Sequence, residues 1–138
     1  MKQQIMTSMR HTRLPWTQRS NMVGLSTLLF LLPACKPGMS PWRRKLCIVQ
    51  ACVAYLSDFH YAGRTHLSHG IDRIVATTHV ALYVFLWRHF ALSGLDAVAA
   101  MCYSMSMACI RMNHRKAYEL WHTLWHVAAS ACLWQSNA

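Results

Sequence analysis

The sequence predicts an all-α fold: an integral membrane helical bundle of about five transmembrane helices. Three observations carry this expectation. Hydrophobic residues make up 54% of the 138 residues and charged residues only 13%, about half the charged share usual in soluble globular domains. The apolar residues gather into five stretches free of Asp, Glu, Lys and Arg. Basic residues collect mainly between those stretches, where they would meet lipid headgroups. A basic N-terminal tail over 1–19 is expected to precede a single transmembrane domain over 20–138.

The uncharged stretches cover 20–35, 46–57, 74–87, 97–110 and 120–138, most of them shorter than the ~20 residues a helix needs to cross hydrocarbon. Each lengthens if flanking charges such as Arg73, Arg88 and Asp96 extend toward the interface. Trp42, Trp87, Trp121 and Trp125 then fall near the ends, where aromatic belts sit. The expected spans are near 20–35, 46–62, 71–90, 93–110 and 117–135.

The first span contains "MVGLSTLLFLLPAC" after Lys2, Arg10, Arg13 and Arg19, a pattern shared with secretory signals; the long basic lead favours a retained anchor. "KPGMSP" breaks the chain at Pro37, Gly38 and Pro41 before the second span. The fourth stretch, "AVAAMCYSMSMACI", carries small residues suited to close helix packing. The fifth begins in "YELWHTLWHVAAS", which places two histidines four residues apart.

With five alternating spans, nine basic residues fall on the side of the N-terminus and five on the other, which orients the N-terminus toward the cytoplasm. Cleavage of the first stretch would reverse that order. The net charge of +10 does not imply nucleic-acid binding, because no zinc-finger spacing, RNP-like stretch or basic helix accompanies it. The six cysteines form no C-x-x-C pair and read as buried thiols acting as small hydrophobes.

Polar groups inside apolar spans are costly and point to partners, cavities or chemistry. Residues four apart share a helix face, so His122 and His126 can reach one ion, within a polar stripe that also holds Glu119 and Ser130. The same stripe also reads as interhelix hydrogen bonding. Further ligands are offered by "YLSDFHYAGRTHLSHGIDRIVATTH", which contains Ser57, Asp58, His60, His66, His69, Asp72 and His79. The second span ends where the third begins, and the fifth starts from that same face, so Ser57, His60, Asp72, His122 and His126 converge on one layer. Three neutral imidazoles with an open fourth position suit Zn²⁺, with His60, His122 and His126 as ligands. Asp72 would accept a proton or orient the attacking water, and Ser57 would donate to a developing oxyanion. Asp72 also fits a helix-start carboxylate favoured by the dipole. His66 and His69 are expected to be solvated in the connector.

These residues resemble the CREST superfamily of membrane hydrolases, which includes alkaline ceramidases, progestin and adipoQ receptors, Per1-like proteins and the myomaker-like group. The resemblance lies in Ser57 and His60 near the end of the second span, Asp72 at the start of the third, and the H-x-x-x-H pair His122 and His126 in "HTLWH". It implies a shortened relative of a seven-helix fold, a zinc site near one membrane face, and hydrolysis of an amide or ester bond in a membrane lipid. The chain departs from that pattern in spacing Ser57 and His60 by three rather than four. Five spans would leave a cavity that a second copy could complete as a homo-oligomer. Two other functions fit the same residues: a bis-histidine haem protein using His79 with His126, and a packing or assembly factor without chemistry.

Overall fold

The computed structural model describes residues 14–88 and 91–136. Part of the expected basic tail and the end of the third expected span lie outside them. The described residues are helical, with no β-strand among them. Helix α1 (Asn21–Thr27) continues through a 3₁₀ turn (Leu28–Phe30) into the short α2 (Leu31–Ala34); α3 (Pro41–Tyr55) ends in a π turn (Leu56–His60). Helix α4 (Leu67–Leu82) ends in a second π turn (Tyr83–Trp87), and α5 (Gly94–Arg111) and α6 (Arg115–Gln135) form a closing hairpin.

These elements track the expected spans, with informative shifts. Helix α3 starts earlier than expected because Pro41 occupies its first turn, where the missing N–H costs nothing. The "WRRK" cluster therefore lies inside a helix. Helix α4 also starts early, since His66 caps it by accepting from the backbone N–H of Ser68 at 3.1 Å. The start of α5 is set by Asp96, whose carboxylate accepts from both the backbone N–H and the hydroxyl of Ser93, a capping-box arrangement. One expectation is not carried over: no helix among the described residues is long and apolar enough to cross a membrane.

Two features position the functional groups. Gly24 lets α1 approach the first π turn so closely that a Cβ there would stand 2.5 Å from the Phe59 ring. Asn113 takes a left-handed conformation (φ 57°) between α5 and α6, tolerated because its short polar side chain can bond locally. That tight connection puts Ser106 opposite His122, each equally far along the chain from His114. The core contains Phe30, Cys47, Ala51, Tyr83, Ala99, Ala128 and Leu133. Four of the six thiols, Cys47, Cys102, Cys109 and Cys132, are buried and unbridged, while Cys35 and Cys52 are exposed. Large apolar side chains also cover much of the exterior, among them Leu25, Leu67, Ile74, Phe85 and Leu92.

Candidate metal centre

Among the described residues, Asp58, His122 and His126 form a group that could hold a metal ion, with one ligand atom from each lying within 4.8 Å of the others. The Asp58 Oδ2 lies 3.1 Å from His122 Nε2 and 3.5 Å from His126 Nε2. Tetrahedral ligands each ~2.05 Å from a zinc ion stand ~3.3 Å apart, so these separations fit a shared ion. Both imidazoles are buried, and Asp58 is largely so. Phe30 meets the His126 ring edge-on at 5.4 Å and Tyr118 stacks on His122 at 4.9 Å, so apolar ring surface encloses the polar atoms.

Hydroxyl groups meet the second nitrogen of each imidazole. The Ser26 hydroxyl lies 2.8 Å from the Val23 carbonyl and 2.7 Å from His126 Nδ1, so it can accept from an Nδ1–H while donating to the carbonyl, or donate to Nδ1 when that nitrogen carries no hydrogen. His122 repeats the arrangement with a longer contact: Ser106 donates to the Tyr103 carbonyl at 2.8 Å and lies 3.4 Å from His122 Nδ1. A carboxylate only accepts, so without a metal His122 Nε2–H donates to Asp58 Oδ2 at 3.1 Å. Two ring nitrogens thus face one carboxylate oxygen. A divalent cation between them would replace the Nε2 hydrogens, with each Nδ1–H then turned to its serine, and metal-bound histidines are held through their other nitrogen in this way.

The first π turn explains why Asp58 occupies the place expected for His60. A spacing of three puts residues on one side only at 3.6 residues per turn. Here Tyr61 N–H bonds the carbonyl of Leu56, five residues back, at 2.9 Å, and the wider turn breaks that registry. His60 is exposed, its ring lies against Tyr61, and its carbonyl accepts from Arg19 at 3.1 Å. It is not among the metal-competent group.

Ser57 points the other way. His69 Nε2 lies 2.8 Å from the Arg64 carbonyl, which can only accept, so that nitrogen donates and His69 Nδ1 is an acceptor. The Ser57 hydroxyl donates to it at 2.9 Å. Ser57 therefore ties the π turn to α4, and His69, expected to be solvated, is buried in that contact. His66, besides capping α4, stacks on Tyr61. Asp72 accepts from Gln50 Nε2 at 3.2 Å and joins Asp58, His122 and His126 in lining one cavity of about 490 Å³. Along the fifth span's polar stripe, Glu119 pairs with Arg115 at 2.8 Å, and Ser130 is buried. His79 lines the same cavity, while His126, its expected axial partner for haem, directs Nε2 at Asp58.

Sequence reasoning missed Asp58 as a ligand and Ser26, Ser106 and Gln50 as its supports. The one available signal for Asp58 was a carboxylate within an otherwise uncharged apolar stretch. No protein-family model matches the chain, and no curated protein or solved structure matches it significantly. The resemblance to the CREST superfamily rests on the quoted motifs alone.

Proposed function

We propose that the protein is a metal-dependent hydrolase acting on an amide or ester bond of a lipid-like substrate, embedded in a membrane with its apolar exterior covered by lipid. The observation that carries this reading is the convergence of two imidazole Nε2 atoms, each with a serine hydroxyl at its Nδ1, on the Asp58 carboxylate. The cavity beside them has a lining dominated by apolar side chains such as Phe30, Val80, Trp125 and Leu133. The exposed leucines, isoleucines and phenylalanines of the outer surface support the lipid environment. The expected ligand set is revised, with Asp58 replacing His60.

A zinc ion held by Asp58, His122 and His126 would supply a Lewis acid for a substrate carbonyl. Asp58 would carry the negative charge that offsets the ion, and Ser26 and Ser106 would accept from the Nδ1 hydrogens of the two imidazoles and keep them aimed. Asp72, oriented by Gln50 on the wall of the same cavity, accepts the proton of the attacking water. The apolar walls exclude bulk water from the reacting carbonyl. Ser57 takes no part, since its hydrogen is committed to His69.

Two histidines and a carboxylate also suit Fe²⁺ in oxygen-activating sites, so metal identity is part of the test. Detergent-purified protein would be assayed for bound metals and for turnover of fluorogenic fatty-acyl amides and esters. One zinc per chain is expected, lost in Asp58→Asn and His126→Ala and retained in His60→Ala, with turnover following the metal. A native chain that binds no metal, or one that loses it only with His60, refutes the reading; bound iron without hydrolysis selects the oxygen-activating alternative.

A further inference from the structure

The cavity has a second polar feature that the proposed chemistry does not use. Its far end is satisfied internally, because the Tyr83 hydroxyl donates to Asp96 at 2.5 Å and Asp96 also accepts from Ser93. Its metal end is satisfied by Ser26, Ser106 and Asp58. Between them stand two buried atoms without a hydrogen-bond partner among the described residues, Gln50 Oε1 and His79 Nε2. Both side chains line the cavity, and each is only 4% exposed. Leaving such atoms unpaired in a dry interior is costly, and native interiors rarely do so without a function or a ligand.

The two are set in place. Gln50 is anchored through its Nε2 to Asp72, so its carbonyl oxygen is fixed close to the proposed reaction centre. The ring of His79 meets the Trp87 ring edge-on at 5.5 Å, and Trp87 is itself covered by the Arg43 guanidinium 4.2 Å from its centroid. His79 is therefore pinned rather than free to turn toward solvent. It follows Asp72 by two helical turns on α4, about 10 Å along the axis. Arg73, Ala76 and Thr77, between them on α4, also line the cavity.

We infer that His79 is a specificity-determining residue, reading an uncharged polar group, a hydroxyl in the simplest case, carried on an apolar chain about 10 Å from the bond to be cleaved. The substrate class is thereby narrowed from any apolar amide or ester to one with a second polar group in mid-chain or at the chain end. A hydroxyl suits the position because it both donates and accepts, so it meets His79 Nε2 in either tautomer. Gln50 Oε1, nearer the metal end, accepts from the N–H of an amide at the reacting bond. The inference rests on the cavity being the substrate site of the proposed function.

Ligand binding tests it without turnover. The probes are the N-methylamides of nonanoic acid and of ω-hydroxynonanoic acid, titrated into detergent-solubilised protein while tryptophan fluorescence is followed, since Trp125 lines the cavity and Trp87 packs against His79. Native protein should bind the hydroxylated amide roughly tenfold more tightly than the plain one, the margin set by pairing a buried polar atom. His79→Phe should bind both alike, and His79→Gln, which restores a polar side chain, should recover part of the preference. Thermal melts of the same samples report folding, and removal of an unpaired nitrogen predicts no loss of stability in His79→Phe. Equal affinities in the native protein overturn the inference, as does a preference that persists in His79→Phe. The titrations are repeated on chelator-treated protein with zinc content measured alongside. Bound zinc without hydroxyl preference overturns this inference and leaves the hydrolase standing; preference without bound metal supports it and removes the hydrolase.

Discussion

Replacing Ser26 by Ala isolates the hydroxyl that would hold His126 in its metal-binding tautomer. The side chain is small and 5% exposed, so the change deletes one oxygen and leaves little room for repacking. Ser26 Oγ lies 2.7 Å from His126 Nδ1, in a setting where His126 itself is 2% exposed, so no bulk water replaces it. With a metal on Nε2, the imidazole must keep its hydrogen on Nδ1 and carries the full cost of an unpaired buried donor, about 1–3 kcal/mol. Without a metal the ring can turn or exchange tautomers and escape part of that cost. The difference falls on metal affinity, which should weaken about 10- to 100-fold, the range found when supports of metal-bound histidines are removed. Ser106→Ala should weaken it less, because its bond to His122 is 3.4 Å long. Competition against a chromophoric zinc chelator at neutral pH measures both. Unchanged affinity in Ser26→Ala, or a larger loss in Ser106→Ala, refutes the role of the two serines as supports of metal-bound imidazoles.

Acidification should release the metal, because both imidazoles must be deprotonated to ligate: affinity falls as pH drops by up to about 100-fold per unit once two protons compete, and pH-dependent chelator competition reads the slope. A pH-independent affinity would exclude the two histidines as ligands. Gly24→Ala should destabilise the fold by about 1–3 kcal/mol, since the added Cβ would stand 2.5 Å from the Phe59 ring beside Asp58; chemical denaturation measures it, and an unchanged midpoint would mean α1 does not press on the π turn. Ser57→Ala should leave metal content and turnover intact while costing about 1–3 kcal/mol of stability through the acceptor it strands on His69. A large loss of turnover at full stability would instead place Ser57 on the substrate.

The helical content was legible because it follows from where charges are absent: the five uncharged stretches correspond to α1–α2, α3, α4, α5 and α6. Helix starts were less legible, since Pro41 and His66 act through local backbone geometry that a charge pattern does not report. His122 and His126 were found because an uninterrupted α-helix preserves the i, i+4 relation over α6. His60 was misplaced because the same arithmetic was applied across Leu56–His60, where hydrogen bonds close five residues back. One added residue in a turn moves a whole side-chain set around the helix. The roles of Ser26 and Ser106 were beyond reach, as each depends on a contact between distant segments and on which acceptor takes its single hydrogen.

That dependence on distance also says what the metal would do for the fold. Ser26 lies on α1, Asp58 on the π turn after α3, Ser106 on α5, and both histidines on α6, so one ion would bind three protein atoms directly and, through the serines, fix two further helices. Without it, the same interior joins α6 to the π turn through the His122 Nε2–H donated to Asp58 at 3.1 Å and the His126 contact at 3.5 Å, weaker links than a shared ion would make. Metal binding and docking of α6 onto the α3 end are then a single equilibrium, because ligand groups assembled only in the folded chain return their binding free energy as stability. The hairpin of α5 and α6 is held by its own short turn and extensive mutual packing, independently of any ion. The contacts an ion would strengthen are those between α6 and the segments carrying Asp58 and Ser26, the walls at the metal end of the cavity.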